Sequence, residues 1–367
     1  MQIRRLDVYA MRYHHAAGPF VMSGGRVSTE QDGTVVRLET DDGVVGWGEQ
    51  CVISPTYAAG YAPTTQAALG LLGPALLGVD PRRTDVAYAR LDAATKGYRY
   101  AKAALDMACW DLFGRATGLP LADLLGGIQA EEFPLYTGIG IASPEEMRER
   151  CAAALAAGYR RVQLKVGTGV REDVERIEAC LEALGDADLV IVDANAWWTQ
   201  AEAARVLAAV DHLDVMIEQP CASLDECARL RSTSRRPFVL DESLVQLDDL
   251  VKARAAGAVD AVRLKLSRFG GITPVRRARD LAASFGLPIT VEDAGGGDLV
   301  SAATAHFAAS LPHTLLLGGY LPGEMATERI ASGTPEPEGG VARVPTGPGL
   351  GVEVNEDALG EHLLRVE

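Results

Sequence analysis

The sequence predicts an α/β protein: a modified TIM-type barrel of (β/α)7β connectivity, preceded by an α+β capping domain. Three observations predict it. Antiparallel strand signals open the chain, with helical stretches after them. From about Phe133, short β-rich runs alternate with long amphipathic segments. There are eight such runs, the number that closes a parallel barrel. The capping domain is expected over residues 1–125, completed by a tail from about 335 to 367, with the barrel over 126–334.

Residues 34–40 (TVVRLET) and 44–49 (VVGWGE) are two strand runs joined by Asp41-Asp42-Gly43, a hairpin signal. Residues 98–117 read as a helix, with Ala101, Ala104, Leu105, Ala108 and Leu112 on one face and Gly118 and Pro120 as its stop. The barrel runs are FPLYTGIG, RVQLKVG, LVIVDAN, VMIEQP, FVLDES, AVRLKLS, PITVEDAG and TLLLGG. Helical segments such as 145–157 and 246–256 lie between them, and a Gly- and Pro-rich tail from Pro335 is expected to run back over the first domain.

Composition excludes several classes. The 367 residues carry a formal net charge of −15, which argues against a nucleic-acid partner, since such proteins concentrate Lys and Arg to replace counterions. No apolar run approaches the ~20 residues of a membrane span, and the opening MQIRRLDVYAMRYHH lacks the apolar centre of a signal peptide. Six dilute cysteines (51, 109, 151, 180, 221 and 227) fit reduced core thiols, and with them a cytoplasmic location. No strand–GxGxxG–helix unit is present; GIGIAS at Gly138 lacks the third glycine.

The sharpest signal is where the charges fall. Lys165, Asp193, Glu218, Asp241, Lys265 and Glu292 each end an apolar run, at separations of 28, 25, 23, 24 and 27 residues. One strand, one helix and two loops take about that much chain, so the six belong to consecutive strands whose C-terminal ends share one mouth. Asp193, Glu218 and Asp241 would repel one another as bare carboxylates. A hard divalent cation resolves this, and an all-oxygen set suits Mg²⁺, with Asn195 and Gln163 orienting the ligands from behind. The alternative is salt bridging at the strand rim to Lys165, Lys265, Arg263 and Arg268. A lysine that is partly desolvated beside a divalent cation is easier to deprotonate. A metal on a substrate carboxylate acidifies the α-carbon and stabilises the enediolate. Two lysines on opposite faces of that carbon then allow removal from one side and return from the other.

These motifs together (VQLKVG, VDAN, IEQP, LDES and RLKLSRFGG) resemble the enolase superfamily, in its muconate-lactonising-enzyme-like subgroup, over essentially the whole chain. The superfamily is a standard example of a Lys or His base beside Mg²⁺ and an ene-diolate. Two departures stand out. The subgroup's Lys-x-Lys reads Gln163-Leu164-Lys165 here, and Lys265 holds the sixth strand where other branches place a His. His306, within SAATAHFAAS, is expected to be packed and not catalytic.

The likeness narrows to enzymes of proline-derived substrates. SPTYA, YAKAALDMACWDLFG, EQPC, EDAGGGDLVSAA and VPTGPGLG are similar to 4-hydroxyproline betaine 2-epimerases. MSGGR and GGITP are similar to cis-3-hydroxy-L-proline dehydratases. This resemblance implies racemisation or 2-epimerisation of an amino acid or betaine, with β-elimination as the alternative and an inert barrel scaffold as a third. It implies Tyr57, Tyr320, Glu292 and Asp293 at the substrate, the tyrosines as cation–π faces for its ammonium, and a homo-oligomer, dimer or octamer. The epimerase group tends to have Trp after the strand-seven Asp-Ala, whereas Gly295-Gly296-Gly297 here are expected to open space or let backbone approach the ligand. Loops 20–26 and 51–61 are expected to close the mouth.

Overall fold

A computed structural model describes all residues, Met1–Glu367. The chain begins as an antiparallel sheet of β1 (Ile3–His14), β2 (Glu30–Thr40) and β3 (Val45–Cys51), with the Asp41-Asp42-Gly43 turn between the last two. Alternation puts Leu6 and Val8 of β1 and Val36 and Leu38 of β2 on one face, and a register irregularity between Ile3 and Arg5 brings Ile3 to the same side. That face is covered by α1 (Ala62–Leu76), α2 (Thr84–Ala94) and α3 (Arg99–Thr117). In α3 the residues Ala101, Ala104, Leu105, Ala108 and Leu112 form the buried stripe that the spacing predicts. The opposite side of α3 meets the barrel. Asp106 accepts from Thr273 N (2.8 Å) and Thr273 Oγ1 (2.6 Å), and Trp110 Nε1 donates to the same hydroxyl at 2.9 Å.

The eight predicted runs form eight parallel strands in chain order: β4 (Tyr136–Ile139), β5 (Arg161–Lys165), β6 (Leu189–Asp193), β7 (Met216–Glu218), β8 (Phe238–Leu240), β9 (Ala261–Lys265), β10 (Ile289–Glu292) and β11 (Leu316–Gly319). A bridge between Leu135 and Gly319 joins the first to the last and closes the ring. The crossovers are α4 (Pro144–Ala156), α5 (Val170–Leu184), α6 (Gln200–Val210), α7 (Leu224–Arg231), α8 (Leu247–Ala255), α9 (Ile272–Ser284) and α10 (Asp298–Ala309). No α-helix follows β11, so the connectivity is (β/α)7β.

Three crossovers start at capping boxes, Ser143/Glu146, Thr199/Glu202 and Ser223/Glu226, where each serine or threonine and its glutamate satisfy backbone N–H groups reciprocally. Because strand side chains repeat every two residues, the charged residue at each strand's end shares its face with the residue two before it. Below the charges, Ile191, Val239 and Ala261 pack together as an interior layer.

Of the tail, Val341–Arg343 pairs with Glu132–Pro134 beside the barrel, and β12 (His362–Val366) adds antiparallel to β1. All six cysteines are free thiols and buried. No helix is long and apolar enough to cross a membrane.

His306 is wholly buried in α10 and ties two segments together. The Ala122 N–H donates to its Nδ1 at 3.2 Å, so Nε2 carries the ring proton and donates to Leu350 O at 3.0 Å. Burial lowers its pKa to about 4. The folded protein therefore holds this ring neutral while the unfolded chain takes up a proton near pH 6.5. Stability from this group is complete above about pH 6.5 and is lost as pH falls toward 4, by on the order of 3 kcal/mol. Urea midpoints measured across that window should fall with acid in the wild type and fall less in His306→Gln.

Candidate active site

The six charged residues meet at one mouth. Parallel register sets Lys165 beside Asp193, Asp193 beside Glu218, and Lys265 beside Glu292. Asp241 directly follows β8, between them in the ring. Asp193, Glu218 and Asp241 are each 0 % exposed.

Every one of these carboxylates meets a cation. Lys165 Nζ lies 2.5 Å from Asp193 Oδ2. Arg263, itself buried, spans Glu218 with Nε 2.5 Å from Oε1 and Nη2 2.7 Å from Oε2. Lys265 Nζ is 2.9 Å from Asp241 Oδ2 and 2.6 Å from Glu292 Oε1, and Arg268 holds Asp241 Oδ1. Salt bridging at the strand rim is thus present in full. With each carboxylate drawn to its own partner, the three do not converge on one point.

The pairing leaves a carboxyl group over. Asp193, Glu218, Asp241, Glu242 and Glu292 face Lys165, Lys265, Arg263 and Arg268, five carboxyl groups against four cations. Burial, with Asp193 and Asp241 adding to it against Arg263, pushes Glu218 up to about 7. Burial and the charges of Asp241 and Asp193 raise Glu242 to about 8, and its enclosed Oε2 has no hydrogen-bond partner. Burial works against the charge of Asp241 too, yet Arg268 and Lys265 hold it well below the usual carboxylate range. A hard divalent cation fits this all-oxygen set, in which carboxyl groups outnumber cations, with Asp193, Glu218 and Asp241 as the residues able to hold it.

Asp241 and Glu292 touch Lys265 and, against desolvation, keep its ammonium well above the ordinary lysine value; a divalent cation beside it would act in the opposite sense.

The residues expected behind the carboxylates are there. Gln163 Nε2 donates to Asp193 Oδ2 (3.1 Å) and Glu218 Oε2 (2.8 Å), and Asn195 gives Asp193 both its N–H (2.7 Å) and its Nδ2 (2.9 Å). Gln219, not singled out from the sequence, accepts from Asp241 N (3.0 Å) and Ser243 N (3.2 Å) and so fixes the backbone of the next strand's carboxylate.

The cap supplies the roof. A short hairpin, Phe20–Met22 with Arg26–Ser28, seats its turn on the barrel: Gly24 N–H donates to Gly167 O at 2.8 Å and Ser23 Oγ to Asn195 Oδ1 at 3.2 Å. Gly24 has φ +72°, and a Cβ there would stand 2.4 Å from the Trp197 ring, so the turn needs glycine. Phe20, Met22, Ile53 and Tyr57 cover a cavity, part of it open to solvent, that Gln163, Lys165, Lys265, Glu292 and Tyr320 also line. Tyr320 stacks on Tyr136 (centroids 5.6 Å apart), and the Tyr136 hydroxyl reaches Glu292 and Arg263.

Two expected ligand contacts are occupied within the protein. Asp293 borders the cavity, but its carboxylate accepts from Ser267 Oγ (2.7 Å), Ser267 N (3.0 Å) and Ala294 N (2.7 Å), bracing the turn after β9. Burial, against those bonds, raises it to about 6. Gly295–297 mainly let the cap approach. Gly296 N donates to Gln31 Oε1 (3.2 Å) and Gly297 N to Glu49 Oε1 (2.7 Å), while a Cβ on Gly297 would lie 2.9 Å from the Tyr13 ring. Of the three, Gly295 also lines the cavity.

Two family models match the chain: the mandelate racemase / muconate lactonizing enzyme N-terminal domain over residues 5–126, and the enolase C-terminal domain-like model over residues 146–358. The chain belongs to the mandelate racemase/muconate lactonizing enzyme family of the enolase superfamily. A cis-3-hydroxy-L-proline dehydratase of Roseibium aggregatum is 40% identical over 365 residues, covering 100% of both chains. An N-succinyl-L-Arg/Lys racemase of Bacillus cereus is 33% identical over 98% of each. A crystal structure of a family protein from Roseovarius nubinhibens complexed with magnesium superposes with a TM-score of 0.96 at 39% identity, covering 100% of both chains. Members of this family thus include both a dehydratase and a racemase.

Arg263→Met leaves Glu218 buried opposite no guanidinium and should cost about 3–5 kcal/mol of stability. Adding Glu218→Leu should recover part of that loss in thermal unfolding, a non-additivity that a merely space-filling Arg263 would not give.

Proposed function

We propose that the chain removes the α-proton of a small carboxylate substrate with Lys165 and Lys265 on opposite faces, as a racemase or 2-epimerase of proline-derived amino acids or betaines. The observation that carries this is the pair of lysines lining one cavity under the cap. Asp193, Glu218 and Asp241 would hold Mg²⁺, which supplies a Lewis acid for the substrate carboxylate and so stabilises the enediolate. Support for the metal comes from the donor set and from the Roseovarius nubinhibens relative, solved with magnesium.

The protein's own groups do the rest. One lysine, as a neutral amine, takes the α-proton; the other, as an ammonium, returns a proton to the opposite face, inverting the centre. Lys265, gripped by Asp241 and Glu292, is placed as the donor in this arrangement. Phe20, Met22 and Ile53 give the cavity an apolar wall under the cap. Tyr320 and Tyr57 border the same space and offer aromatic faces to a substrate ammonium, with Glu292 as its counter-charge. Asp293, committed to Ser267 and Ala294, acts as a brace for the Lys265 turn.

A second reading is favoured by the 40% identity to the Roseibium aggregatum enzyme: dehydration of cis-3-hydroxy-L-proline. One lysine takes the α-proton, the C3–O bond breaks as the other lysine's ammonium protonates the hydroxyl so that it leaves as water, and an enamine remains that tautomerises to the imine. Either reaction fits a cytoplasmic homo-oligomer, dimer or octamer, whose size light scattering reads directly.

Incubation with L-proline betaine, L-proline and cis-3-hydroxy-L-proline separates the two. Decay of optical rotation marks racemisation or epimerisation, and an imine or its keto-acid product marks dehydration. In D₂O, Lys165→Ala and Lys265→Ala should each abolish racemisation; activity surviving either change removes the two-base mechanism. Chelation of divalent metal should stop solvent exchange at the α-carbon, and added Mg²⁺ should restore it.

A further inference from the structure

Tyr57 comes from the cap, in the loop between β3 and α1, yet its hydroxyl lies among the charges of the barrel. Oη is 3.2 Å from Asp241 Oδ2 and 3.1 Å from Arg268 Nη2, and it touches Lys265 Nζ. A phenol has one proton to give and two lone pairs to share. An ionised Asp241 can only accept, while charged Lys265 and Arg268 can only donate, so each neighbour takes one of the three roles and the hydroxyl is saturated. Lys265 Nζ stands 4.8 Å from the ring centroid while touching Oη. The ammonium therefore lies off the hydroxyl end of the ring and not over its face. Lys165 is held differently, by Asp193, and shares no hydrogen bond with Tyr57.

We propose that Tyr57 is a positioning residue for Lys265: its hydroxyl sets where the Lys265 amine stands against the substrate, and makes proton transfer on that face depend on a seated cap. This rests on the two-lysine reading above, and adds that the two faces of the α-carbon respond unequally to a change in the cap. A tyrosine that only packed, or only offered its ring to a substrate ammonium, would act on both faces alike.

The test is α-¹H to ²H exchange in D₂O, followed by NMR with Mg²⁺ present, on L-proline betaine and D-proline betaine separately. Lys265→Ala first identifies the enantiomer whose proton Lys265 handles. Tyr57→Phe keeps the ring and removes Oη. It should slow exchange of that enantiomer by about tenfold or more, since a misplacement on the order of 1 Å has costs of that size, and leave the other within about twofold. The unaffected enantiomer reports that the variant is folded. Tyr57→Gln, which lacks the ring but keeps a polar end, should unbalance the two enantiomers less than Tyr57→Phe. Equal slowing of both enantiomers, no slowing of either, or the reverse order of the two variants overturns the positioning role and leaves the two-lysine reading standing. A wild type that exchanges neither enantiomer overturns that reading and this role with it.

Discussion

Three desolvated carboxylates on adjacent strands are the constraint around which this molecule is arranged. Water cannot solvate Asp193, Glu218 or Asp241, and burying such groups is costly unless each is paired and hydrogen-bonded. The barrel spends much of its upper interior on that. Arg263 lies beneath Glu218, Gln163 bridges two of the three, Asn195 donates to the Asp193 carboxylate, Gln219 fixes the backbone of Asp241, and Arg268 flanks that same residue. Stability and chemistry draw on the same groups. Lys165 and Lys265, which pair with Asp193 and Asp241, are the groups proposed to move protons, and the carboxyl group left over is what a divalent cation would hold.

The cap completes this arrangement from the other end of the sequence. Its hairpin turn rests on the loops after β5 and β6, and its Glu49 carboxylate receives the first N–H groups of α10. Acceptance of N–H groups at a helix start is electrostatically favourable, so a buried glutamate serves here to dock one layer on another. Three contiguous glycines after β10 then follow from packing: any side chain at Gly297 would strike Tyr13.

Much of the fold was legible because its signals are local and repeated. Eight β-rich runs at regular spacing need no tertiary information to count, and the residues ending six of them must share a mouth once the strands are parallel. Gln163 was within reach for the same reason, being two residues before Lys165 and so on the same face. Arg263 bears that relation to Lys265, and the parity could have promoted it from a rim salt-bridge partner to a buried support for Glu218. Tyr136 and Gln219 were harder to see. Their partners lie across the barrel or on the neighbouring strand, and nothing in FPLYTGIG or IEQP marks a hydrogen bond. A glycine run tells only that something comes close: here the cap does, while Gly295 also lines the cavity. The two carboxylates that touch the Lys265 amine come from other strands, and no linear motif marks that contact.

A crystal structure of the protein grown with Mn²⁺ in place of Mg²⁺ and a proline betaine, read by anomalous scattering, addresses the convergence of these groups directly. One manganese peak at ordinary coordination distance from Asp193, Glu218 and Asp241, with the Lys165 and Lys265 amines on opposite sides of the ligand's α-carbon, is the predicted result. A peak elsewhere, or both amines on one side of that carbon, would contradict it.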